Sequence, residues 1–158
     1  RLQLELVDFR GERLWERSVD VDAESGLPWI VEAADAPLAG REKEVVLVAA
    51  LDAPGGPFAG TFWFVPPKDL RLEPPGIEWR IREEEGAWIV DLAAARVARW
   101  VGLSVANADA SFDDNWFDLV PGREKRVRIL RPRPADGPAP LLGVTSLHDL
   151  TRSDEKAR

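Results

Sequence analysis

The 158-residue sequence predicts an all-β chain of two β-sandwich units, and three observations carry that prediction. Short runs alternate apolar and polar residues with a period of two, the pattern of half-buried antiparallel strands. Turn residues rich in Gly and Pro separate these runs at short intervals, which suits immunoglobulin-like sandwiches and not α/β units. Seven Trp and six Phe supply bulky side chains for sandwich cores only about 10 Å thick.

The elements follow in order. In residues 1–9, Leu2, Leu4 and Leu6 point one way while Gln3 and Glu5 point the other. Arg10, Gly11 and Glu12 form a turn, and Leu14 to Val21 returns as the partner strand. Residues 22–44 are mixed loop, with Gly26, Pro28, Pro37 and Gly40 as punctuation. Val45 to Leu51 is an apolar run of central-strand length, Asp52 to Pro57 (D-A-P-G-G-P) a turn, and Gly60 to Val65 another strand. Pro66-Pro67 ends it. A boundary is expected there, giving units 1–64 and 65–158. Pro66 to Gly76 holds four prolines and reads as an extended linker or an irregular first edge strand.

Alternation then restarts. Ile77, Trp79 and Ile81 face inward and Glu78, Arg80 and Arg82 outward. Gly86 turns a hairpin, after which Trp88, Val90 and Leu92 line the returning strand. Ala93 to Ala98 reads as a loop or brief turn. Val101, Leu103 and Val105 alternate with Gly102 and Ser104, and Val127 and Ile129 with Arg126 and Arg128. Residues 132–140 are Pro-rich loop. Leu141 to Leu150 reads as one last strand, and Ser153 to Arg158 as a charged, frayed end. No long amphipathic helix is predicted.

Composition narrows the function. The formal net charge of −7 argues against nucleic acid as a partner, because displacing counterions needs a basic footprint. No apolar run approaches the roughly 20 residues of a membrane span. Cysteine is absent, which excludes disulfides, thiolate nucleophiles and Cys-ligated metals. The lack of Cys and of a charged-then-apolar leader slightly favours a cytoplasmic location, although a disulfide-free exported protein fits as well. Met is absent even from position 1, and the chain opens inside a strand pattern. The expectation is a piece of something longer, its first sandwich unit truncated at the N-terminus.

Candidate chemistry is sparse. The lone histidine, His148, has Ser146 and Asp149 as neighbours, but in a strand adjacent residues point to opposite faces, which suits no Ser-His-Asp relay. Glu83, Glu84 and Glu85 at a hairpin tip could do glycosidic acid–base work or be solvated surface. Asp109, Asp113, Asp114, Asn115 and Asp118 could hold calcium, yet their spacing is not that of an EF-hand and Asx side chains commonly cap turns. Arg123, Lys125, Arg126, Arg128, Arg131 and Arg133 could meet a polyanion, form the solvent face of a strand or contact an acidic neighbour. Trp79 and Trp88 share the inward register and read as core. Trp15, Trp29 and Trp116 lie near turns, where exposed coplanar rings could stack on sugars. Catalytic, cofactor-binding and metal residues are therefore all expected to be none.

Three segments carry a family resemblance. Ser111 to Gly122 reads S-F-D-D-N-W-F-D-L-V-P-G. It resembles the F-S-D-N-[FY]-F-D-L-L-P-G-E signature near the C-terminus of β-mannosidases of glycoside hydrolase family 2. Thr61 to Leu72, T-F-W-F-V-P-P-K-D-L-R-L, is similar to the segment that opens the last immunoglobulin-like domain of that family. Residues 1–17, R-L-Q-L-E-L-V-D-F-R-G-E-R-L-W-E-R, are similar to its preceding, mannosidase Ig/CBM-like domain. The departures are Asp113-Asp114-Asn115 in place of Ser-Asp-Asn and Arg123 in place of the final Glu.

The resemblance implies a retaining exo-hydrolase of terminal, non-reducing β-D-mannose. Its two catalytic glutamates lie on an upstream (β/α)8 barrel, and no position here carries them. This chain is then expected to be a non-catalytic accessory region without cofactors. Its implied partners are the catalytic barrel of the same polypeptide, a sister subunit in a homodimer, and manno-oligosaccharide. A carbohydrate-binding module or a general immunoglobulin-like interaction domain are the alternatives.

Overall fold

The computed structural model describes residues 1–21, 37–38, 40–52, 58–106 and 108–156. Trp29, most of the 22–44 loop and the Asp52–Pro57 turn beyond Asp52 lie outside the described residues. The chain divides into two compact units, Arg1–Arg71 and Leu72–Arg158. Among the described residues no helix is long and apolar enough to cross a membrane.

In the first unit, β1 (Leu2–Asp8), β2 (Arg13–Val19), β3 (Val45–Leu51) and β4 (Phe58–Phe62) form one antiparallel sheet in the order β2-β1-β3-β4. Asp8 makes the first turn: its carboxylate accepts the N–H groups of Arg10 and Glu12, both at 2.9 Å. Leu4 and Leu6 are buried as the alternation requires. A register shift between Leu6 and Val7 then interrupts it. Val7 is buried as well, opposite the buried Val46, so both faces are covered at that end of the sheet. The Pro-rich stretch after residue 65 is held against this unit. Pro67–Asp69 is one 3-10 turn, the Arg71 N–H donates to the Lys43 carbonyl at 3.0 Å, and the Arg71 guanidinium meets Glu44 at 2.6 Å.

The second unit is a sandwich. One sheet runs β5 (Ile77–Glu84), β6 (Ala87–Ala94), β10 (Lys125–Arg131), β8 (Ser111–Phe112), and the other β11 (Leu142–Thr145), β7 (Ala98–Val105), β9 (Phe117–Leu119). Glu85 and Gly86, at φ 51° and 72°, turn the β5–β6 hairpin with two residues, as a primed turn requires. Ala95–Val97 carries the chain across to the second sheet. The core joins both sheets, with Trp88, Val90 and Leu92 of β6 and Val127 and Ile129 of β10 facing Val101 and Leu103 of β7 and Leu119 of β9. Each such side chain stabilises the fold by about 1.5–3 kcal/mol. The architecture is the all-β, immunoglobulin-like one that the alternation predicts.

The outward face of the four-stranded sheet is a charge lattice. Asp91 accepts from Arg126 at 2.9 Å and Arg82 at 3.0 Å. Burial pushes its carboxyl up, but the two guanidiniums together hold it below the usual carboxylate value. Ile89 points outward yet is only 4% exposed, with Arg82 and Arg128 flanking it in register.

Two expectations need correction. Leu141 to Leu150 is not one strand: β11 stops at Thr145 and an α-helix, α1 (Leu147–Lys156), takes the place of the last strand and most of the frayed end. The physical reason is a helix start at Ser146, whose N–H and hydroxyl both donate to the Asp149 carboxylate, at 2.9 and 2.7 Å. Trp79 has the inward register, facing Leu92, but remains 40% exposed. It sits on β5, an edge strand, where only one neighbouring strand covers it.

Candidate functional site

The signature segment Ser111–Gly122 is bolted down by its polar side chains. Asp113 accepts the Arg128 N–H at 2.8 Å. Asn115 takes both polar groups of Leu103 on β7, accepting its N–H at 2.7 Å and donating to its carbonyl at 3.0 Å. Asp118 accepts the Trp100 N–H at 3.0 Å, and Asp114 pairs with Lys125. Phe117 and Leu119 turn inward to the core, with Leu119 only 2% exposed. Asp113, Asp114, Asn115 and Asp118 are thus used structurally, on backbone and lysine, and no group suited to a metal ion occurs among the described residues.

What remains outward is aromatic. Val101 and Leu103 point into the core, so Trp100, Gly102 and Ser104 face away from it. Trp116 is 61% and Trp100 42% exposed, and both have left-handed backbones, with φ of 63° and 51°. Such a conformation costs about 1–3 kcal/mol in a residue with a side chain. The Trp116 indole lies directly on Gly102: a Cβ there would fall 2.7 Å from a ring carbon. The Arg99 guanidinium sits 4.9 Å from the centre of the Trp100 ring, within cation–π range. Periodicity marked Val101 and Leu103 as inward, and Trp116 was read as lying near a turn, but nothing in the sequence showed that Trp100 and Trp116 would stand exposed beside each other. Their exposure depends on a β-bulge between Ala98 and Val101 and on a turn at Trp116.

A second feature is a cleft of about 640 Å³ at one edge of the sandwich, lined by Pro74–Ile77, Trp79, Val144, His148, Asp149 and Arg152. The Ser146–His148–Asp149 trio lies at this edge, on a helix start instead of the expected strand. The Ser146 hydroxyl is bonded to Asp149 and not to the imidazole, and His148 Nδ1 is 3.7 Å from the Asp149 carboxylate. A nucleophile–base pair is therefore absent from the trio. Burial pushes the Asp149 carboxyl up, but the Ser146 hydroxyl and N–H and the adjacent His148 hold it below the ordinary carboxylate value.

That depression sets a pH dependence. A carboxylate depressed in the folded state stabilises above the ordinary value of about pH 4, and the contribution disappears as pH falls through the lower folded value. Asp149→Asn is expected to lower the melting temperature at neutral pH, with the gap to the parent protein closing in acid. A gap independent of pH between 7 and 2 would contradict this role.

The remaining candidates are surface features. Glu83 and Glu85 are exposed at the hairpin tip, and Glu84 pairs with Arg82. Arg126 and Arg128 lie on the outer face of β10, with Arg126 on Asp91. Trp15 is half-buried on β2 and Trp88 is core.

Comparison with known proteins agrees with this architecture. The Ig-fold domain of mannosidases matches residues 72–150, half of the chain. The crystal structure of β-D-mannosidase from Dictyoglomus thermophilum superposes with a TM-score of 0.68 at 18% identity, over 92% of this chain and 18% of that one. No curated protein sequence matches. The chain spans under a fifth of the length of that mannosidase, and the likeness is one of fold. With the family match extending across the whole sandwich and its signature segment, the chain belongs to the mannosidase Ig-fold family.

Proposed function

We propose that this chain is a non-catalytic accessory region of a β-mannosidase that removes terminal, non-reducing β-D-mannose. In this reading the first unit is part of a mannosidase Ig/CBM-like domain and the second is the C-terminal immunoglobulin-like domain. The second unit's work is to dock on the catalytic barrel of the same polypeptide. One observation carries the reading: the signature segment spends its polar groups on its own backbone and presents the Trp116 indole, beside Trp100, to the outside. Rigid, pre-paid exposure of large aromatic rings is the property of an interface anchor, because little ordering remains to be done on association.

The test uses a full-length β-mannosidase retaining this region. Trp100→Ala with Trp116→Ala is expected to lower its thermal inactivation temperature by several degrees. The kcat/KM for an aryl β-mannoside below that temperature stays unchanged. Gly102→Ala should act the same way more weakly, since its Cβ lifts the Trp116 ring without opening the core. An unchanged inactivation temperature in the double variant removes the docking role, and hydrolysis of an aryl β-mannoside by this chain alone removes the non-catalytic one.

A further inference from the structure

We propose that the cleft beside Trp79 is a binding site for a neutral pyranoside, separate from the Trp100–Trp116 surface and independent of the docking reading. The cleft forms where the edges of the two sheets part. Ile77 and Trp79 of β5 form one wall, Val144 of β11 another, and His148, Asp149 and Arg152 of α1 the third. Its volume of about 640 Å³ falls within the size range of small-molecule sites.

The chemistry of the walls selects the ligand class. Trp79 turns toward the interior, yet 40% of its surface stays uncovered. An indole left open beside a cleft offers an apolar platform to a ring with one C–H face. Facing it, the helix brings three polar heads to one side, since His148 and Arg152 are one turn apart and Asp149 precedes Arg152 by three residues. Asp149 supplies only acceptors and Arg152 only donors, while the imidazole, with Nδ1 buried, has only Nε2 to offer. One carboxylate against one guanidinium gives neither an anion nor a cation a net attraction. A ligand that uses both carries no net charge, donates and accepts through neighbouring groups, and has an apolar face. A pyranose meets all three conditions. The platform is also ordered beforehand, because Asp149 is anchored by two bonds from Ser146 at the start of the helix.

Isothermal titration of the full chain with methyl β-D-mannopyranoside and methyl β-D-glucopyranoside tests this. Saturable binding with a Kd on the order of millimolar is expected for at least one of them. Trp79→Ala and Arg152→Ala should each weaken it about tenfold, and Trp79→Phe should retain part of it. Arg152 is exposed on the helix, so its variant keeps the fold even if the Trp79 change disturbs β5. Three outcomes would overturn the proposal: no saturable heat with either glycoside at tens of millimolar, affinity unaltered in Arg152→Ala, or inorganic phosphate binding more tightly than both glycosides. Failure here leaves the docking reading untouched, since that reading is measured by heat inactivation of variants at Trp100 and Trp116.

Discussion

Leu92→Ala is expected to destabilise the second unit by about 2–5 kcal/mol, the range for emptying a close-packed leucine site. Leu92 is 1% exposed and belongs to the cluster that joins the two sheets. It lies on β6, a central strand between β5 and β10, so neither neighbour can collapse into the space without breaking its own ladder. In a unit of this size each kcal/mol moves the melting temperature by about 4–8 °C, so the unit should melt at least about 8 °C lower. Differential scanning calorimetry measures the shift. Leu141→Ala provides the contrast: that side chain is 74% exposed, and the change is expected to stay within about 0.5 kcal/mol. Equal shifts for the two variants would mean that the inter-sheet cluster is not the core of this unit.

Asn115→Ala has an expected effect of comparable size. It removes in one step the acceptor for the Leu103 N–H and the donor to its carbonyl. Leaving such groups unsatisfied costs about 1–3 kcal/mol each when water cannot reach them. Leu103 is 5% exposed, so replacement by water is restricted. Asn115→Asp separates the two bonds. It retains an acceptor for the N–H but sets a negative charge against the Leu103 carbonyl, so it should destabilise at least as much as the alanine variant above pH 5. Amide exchange at Leu103 gives a local readout besides the melting temperature: protection should fall in Asn115→Ala before the rest of β7 loses it, and less in Asn115→Asp, which keeps the acceptor. Retained protection in Asn115→Ala would show that the signature segment is not held by this side chain.

These two predictions divide along the line between pattern and context. The inward set at Trp88, Val90, Leu92, Val127 and Ile129 was legible from alternation, because a strand has a period of two and a misplaced register would expose every one of them. The β5–β6 hairpin was legible for the same reason, and the strand Val45–Leu51 as a short continuous apolar run, together with the turn residues that bound them. The role of Asn115 was legible only as a class: Asp and Asn in a dense run cap turns, but the partner on β7 is twelve residues away in sequence.

The helix at Leu147–Lys156 was missed although its start was written in the chain. Ser146 followed three residues later by Asp149 is a capping signal, but an apolar run from Leu141 drew the reading toward a strand. Short apolar runs carry no decisive period, so the local bonds at Ser146 decide the matter in the folded protein.

By itself the sequence determined the all-β class, the alternating core of the second unit and the likeness to the mannosidase Ig-fold family. All of these rest on local periodicity or on contiguous motifs. Only the tertiary structure decided that Trp79 opens onto a cleft, that Trp116 lies on Gly102, and that His148, Asp149 and Arg152 line the same cleft as Trp79. Exposure at an edge strand depends on which strands stand beside it, and a bulge or a left-handed turn redirects a side chain without leaving a periodic trace. Periodicity reports which way a residue points along its own strand, whereas the neighbours that cover it or leave it bare come from distant parts of the chain.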